Sequence, residues 1–158
     1  FLKFAGIARE EILPCIKTPL TTREAAAFHR FMAIEAFTRH SYKRVVSEFH
    51  AARRLEPGYA IPSEVADGDH PLLSHYEQAV KAQDGVPELI YAPENGYVVV
   101  SGVRGAPRMS LTPVVIQVYG PGETSEPSTW IETRYIQPGE KLPRWGENVF
   151  GVSARDWW

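Results

Sequence analysis

"TTREAAAFHRF", residues 21–31, decides how the first half of this 158-residue chain is read. Thr21 and Glu24 stand at the spacing of a capping box, in which each side chain takes an otherwise unpaired N–H of a helix's first turn. The Ala25–Ala27 run favours helix, so a helix is predicted to start at Thr21 or Thr22 and no strand is expected within 24–36. Apolar Phe28, Phe31, Met32 and Phe49 continue the helical spacing to Leu55, where "EPG" (56–58) stops it. One helix over this whole stretch would be unusually long for a small domain. The alternative is a pair broken near "FTRHS" (37–41).

Upstream, residues 1–20 are mixed and punctuated by proline. Cys15 lies among apolar neighbours in "EILPCIKTP", which predicts burial. Downstream, "PGYAIPSEVADGD" reads as a loop and a shorter helix follows over about 71–83. Asp69 is placed to cap that helix, with Pro71 in its first turn.

From Leu89 onward the period changes. "ELIYA", "GYVVVSGV", "TPVVIQVYG", "TWIETRYIQ" and "NVFGVSA" are β-branched and aromatic runs separated by Gly, Pro and Asn. Asn95-Gly96 in "ENGY" suits a tight hairpin turn. In "TWIETRYIQ", Trp130, Glu132, Arg134 and Gln137 alternate with Ile131 and Tyr135, with the phase slipping toward the end. The predicted class is α+β: a helical segment over 1–88, then a β-rich segment over 89–158 forming an antiparallel sheet, sandwich or small barrel.

Two resemblances bear on this reading. "YKRVVSEFHAARRLEP" resembles the second helix of a tetratricopeptide repeat, with Tyr42, Val45, Phe49, Ala52 and Pro57 at that family's spacings and Ala33 at the small position of its first helix. Residues 26–59 would then be a helical hairpin suited to protein–protein contact. A generic helical pair satisfies the same residues. "IQPGEKLPRWGENVFG" (136–151) and "VYGPGETSEPSTW" (118–130) resemble the turns that present metal ligands in cupin enzymes. The ligand positions hold Trp145 and Glu147 in one copy and Thr129 and Ile131 in the other. All five histidines (29, 40, 50, 70 and 75) and Cys15 precede residue 76. The motif is therefore read as two turns, and no cofactor is expected.

Composition narrows the function classes. A formal net charge of −2 gives no overall field to draw nucleic acid or an anionic membrane. No apolar run reaches the ~20 residues of a spanning helix. Hydrophobic content of 44% suits an ordinary core, and one cysteine excludes an internal disulfide.

His29 and His40 lie about 16 Å apart along a continuous helix, too far to share a metal, and read as solvent-edge residues. Glu64, Asp67, Asp69, His70 and His75 crowd one stretch, yet the Gly68 turn and the Asp69 cap account for them without a metal. Ser63, Ser74 and Ser101 lack a nucleophile-elbow pattern. Arg39, Lys43, Arg53 and Arg54 share a helix edge suited to an acidic protein or nucleic acid. Trp157 and Trp158 read as anchors for a partner chain, since Trp is enriched at interface hot spots. The expected function is a non-catalytic accessory subunit of a multi-protein assembly, organellar (mitochondrial), otherwise intracellular, or viral. The alternative is a small cupin-like or other β-barrel enzyme with a hidden site.

Overall fold

The computed structural model describes residues 1–122 and 129–150, with backbone alone for 148–150. Helices come first: α1 (Leu2–Ile7), running on through a π-helical turn (Ala8–Ile12) and a 3₁₀ turn (Leu13–Cys15), then α2 (Thr22–Thr38), α3 (Tyr42–Leu55) and α4 (Pro71–Gln78). The strands are β1 (Pro87–Glu88), β2 (Ile90–Ala92), β3 (Tyr97–Val100), β4 (Val103–Arg104), β5 (Arg108–Met109), β6 (Val114–Gly120), β7 (Thr129–Ile136) and β8 (Asn148–Phe150). The class is α+β, and the first strand, β1, lies just ahead of the expected boundary at Leu89.

The capping box at the head of α2 forms in both directions. Glu24 N–H donates to Thr21 Oγ1 at 3.2 Å, and Thr21 N–H donates to Glu24 Oε2 at 2.8 Å. The long apolar run is two helices, because His40 takes a left-handed φ of 58° that no α-helix continues through. α4 is capped differently from the expectation. His70, not Asp69, is its N-cap, and its Nδ1 accepts from Leu72 N–H at 3.1 Å. The helix ends at Gln78 and a 3₁₀ turn over Ala79–Lys81 extends it to two residues short of the predicted end at 83.

β3, β4, β6 and β7 form an antiparallel sheet in the order β4-β3-β6-β7; β1 pairs with β5 and β2 with β8. Among the described residues no barrel closes, so the barrel option is overturned. Asn95 has the left-handed φ expected of "ENGY", but the strands it joins belong to different sheets. The two-residue hairpin lies instead at Ser101-Gly102, with φ of 46° and 83°, between the paired Val100 and Val103. Gly139 has φ of 83° and Glu140 N–H returns to Gln137 O at 3.1 Å, so the second Pro-Gly-Glu is a turn. Most of the first copy's remainder lies outside the described residues. The phase slip in β7 comes early: Val118 faces Glu132 and Tyr119 faces Trp130, which leaves Ile131 as a bulge.

One face of the four-stranded sheet carries Val98, Val100, Val114, Ile116 and Val118, packed with Ile90, Ala92 and Ile136. The other face meets the helical half. Gln117, buried in the middle of β6, accepts from Leu20 N–H at 2.7 Å and donates to Thr18 O at 2.9 Å. Tyr119 donates to Lys17 O, Thr133 to Ile16 O, and the rings of Phe28 and Tyr135 meet edge-on at 5.3 Å. A second core holds α2, α3 and α4 together through Ala33, Ala36, Val45, Phe49, Leu72 and Tyr76.

Candidate functional site

The polar groups with chemical capacity gather where α2, α3 and the Ser101-Gly102 hairpin meet. Met32, Glu35 and Ala36 on α2, and Val45, Glu48, Phe49 and Ala52 on α3, share the helical spacing of buried stripes. The two carboxylates are thus carried into the core with the apolar residues beside them. His29, Glu35 and Glu48 are all 0% exposed.

Glu48 Oε2 lies 2.8 Å from His29 Nδ1, and His29 Nε2 lies 3.3 Å from Ser101 Oγ. This carboxylate–imidazole–hydroxyl order is that of a hydrolytic relay. Its surroundings favour a different role. The imidazole is wholly enclosed, and Ser101 Oγ also accepts Val115 N–H at 3.2 Å while Ser101 N–H donates to Val115 O at 2.7 Å. The relay fastens α2, α3 and the sheet to one another. Burial pushes the Glu48 carboxyl above its ordinary range; the His29 hydrogen bond and the Arg44 charge oppose that shift without overcoming it.

Glu35 is the hub of a second network. Arg9 Nη1 reaches both of its oxygens at 2.8 Å, Arg39 Nε donates at 3.1 Å and Arg44 Nη2 at 3.2 Å. Burial raises its pKa, but the Arg9 bond and the Arg44 and Arg9 charges outweigh burial and hold it below the ordinary range. His50 bonds Ala79 O through Nδ1 and Asp84 Oδ1 through Nε2 at 2.9 and 2.6 Å. Neither carboxylate hub was read from the sequence, although a Glu on each apolar stripe was the available signal. His29 is corrected from a solvent-edge residue to a buried one; His40 is exposed and bonds the Tyr42 hydroxyl. Cys15 is exposed rather than buried.

The crowded stretch before α4 disperses. Tyr42 stacks on His75 with centroids 4.9 Å apart, and Phe37 packs against His70 and His75 at 5.7 and 6.1 Å. Among the described residues no group of three or more His, Cys, Asp or Glu is placed to hold a metal. The basic edge is largely compensated: Arg39 pairs with Glu35, Arg53 with Glu77 and Arg54 with Asp84, while Lys43 is exposed. Trp157 and Trp158 lie outside the described residues.

The N-terminal helical layer carries an exposed apolar surface, although the Phe1 ring also meets Phe31 edge-on at 5.3 Å. Phe1, Phe4 and Ile12 are 52%, 69% and 56% exposed. Phe1 and Phe4, three residues apart, lie on one side of α1, and Ile12 closes the π-helical turn that continues it. Ala5 and Leu13 turn inward and Arg9 ties the layer to Glu35.

No protein-family model, curated protein or solved structure matches the chain. What the fold and sites define is an α+β unit whose buried ionisable groups join its helices to its sheet. Among the described residues no helix is long and apolar enough to cross a membrane.

Proposed function

We propose that the chain acts by protein–protein contact, as a non-catalytic accessory subunit of a larger assembly. The carrying observation is the apolar surface of the N-terminal layer: Phe4 and Ile12 stand out to solvent, and Phe1 is half-exposed beside Phe31, on a layer that Arg9 ties to α2. Clustered exposed apolar residues mark interaction surfaces more often than scattered ones do. The tetratricopeptide-like spacing of residues 26–59 and the Trp157–Trp158 pair add support from the sequence. The relay of Glu48, His29 and Ser101 supports the same reading, since its groups are spent on joining elements.

The test is isolation of the full chain from its native cells, with Phe4→Glu/Ile12→Glu beside the parent. The reading expects a stoichiometric co-purifying subunit that falls about tenfold in the double variant while the melting curve of the purified chain holds. A parent chain that comes out alone and sizes as a monomer at micromolar concentration overturns it.

A further inference from the structure

Between α3 and the β3–β4 hairpin the structure holds a cavity of about 240 Å³. Leu55, Val100, Val103, Met109 and Val114 supply most of its wall, and Arg54, Ser101 and Thr112 are its polar lining. A cavity of ~150 Å³ with aliphatic walls admits benzene, so this one has room for roughly an eight-carbon chain.

One charged residue lines this cavity. Arg54 lines it, whereas its carboxylate partner Asp84 does not. Asp84 is also shared: Oδ2 faces Arg54, while Oδ1 takes His50 Nε2 at 2.6 Å and Thr112 Oγ1 at 3.5 Å. The Arg54 side chain is 48% exposed. A guanidinium carries five donors in a planar fork that matches a carboxylate, and the Asp84 contact engages Nη1. An apolar chamber with one cationic lining residue fits an apolar chain ending in an acid.

We propose that this cavity binds a medium-chain carboxylate, with the aliphatic chain between α3 and the hairpin and the acid group on Arg54. Apolar walls supply the attraction and the single cation orients the ligand, the usual division of labour in small-molecule sites. Ser101 contributes wall rather than chemistry, because its hydroxyl is already engaged by His29 and Val115. The inference is independent of the N-terminal docking face, which lies on other residues.

Titration calorimetry on the full chain decides it, using octanoate, 1-octanol and acetate as probes. Octanoate is expected to saturate with a Kd below about 1 mM, octanol to bind at least about fivefold more weakly, and acetate not to saturate. Arg54→Gln should weaken octanoate about fivefold and change octanol less than about twofold. Val103→Trp, which fills the chamber from its half-exposed rim, should weaken both chain ligands at least about tenfold; Ala106→Trp serves if that variant does not fold. Octanoate that fails to saturate by about 10 mM overturns the proposal. So does octanoate binding that survives the filling variant, or octanol binding as tight as octanoate.

Discussion

His29 Nδ1 sits 2.8 Å from Glu48 Oε2, with neither side chain exposed at all, and this pair joins the two long helices at the point where they meet the sheet. Removing one partner of such a pair leaves a buried polar group without compensation. Glu48→Ala or His29→Ala should each cost about 3–5 kcal/mol in urea unfolding. The double variant His29→Ala/Glu48→Ala should cost clearly less than the sum of the two, because neither member of the pair is then left facing a missing partner. Strict additivity would show that the pair contributes no coupling.

Ser101 provides a direct check on the role of the relay. Its hydroxyl is held by His29 and by Val115 N–H. A fluorophosphonate probe should therefore leave the intact mass of the folded chain unchanged over hours. Stoichiometric labelling lost in Ser101→Ala would identify a nucleophile and restore the enzyme reading.

Acid stability should follow Glu35 and Asp84. Both are held below their ordinary pKa in the fold, so the unfolded chain binds more protons at low pH and their contribution is lost as pH falls below about 4. Glu48 has the opposite sign. Its folded pKa is raised, so its contribution weakens as pH climbs above its unfolded value of about 4.5. Melting temperatures across pH 3–7 should fall less steeply on the acid side in Glu35→Gln than in the parent, relative to each protein's own maximum. Glu48→Gln should flatten the decline above pH 4.5 instead.

The cap of α4 separates two adjacent residues. His70→Ala should destabilise by about 0.5–1 kcal/mol, since Leu72 N–H loses its acceptor, while Asp69→Ala should stay within about 0.5 kcal/mol of the parent. Equal effects, or a larger one at Asp69, would contradict the observed cap.

Two glycines should respond in opposite directions. A Cβ at Gly96 would run into the Tyr119 carbonyl oxygen, so Gly96→Ala should cost more than about 2 kcal/mol. Gly6 lies in α1 with nothing within 4 Å of a Cβ, so Gly6→Ala should stabilise by about 0.5–1 kcal/mol. Thermal melts of the two variants are sufficient to check both.

The sequence by itself determined what depends on neighbours within a few residues. The Thr21–Glu24 box, the turn at Gly139 and the change of period at Leu89 are set by local hydrogen bonds and backbone conformation, whereas one long helix and a pair broken near His40 both suited the sequence. The α+β class was legible from them. Tertiary structure decided what depends on residues far apart in the chain. His29 and Cys15 exchanged their expected environments, because exposure is fixed by which faces other elements cover. Asn95 kept its turn but lost its hairpin, since strand partners are chosen by packing across the sheet and not by the turn alone. The Glu48–His29–Ser101 relay and the chamber beside Arg54 draw on α2, α3 and the β3–β4 hairpin together. No single stretch contains them, and only the folded chain brings their residues within bonding distance.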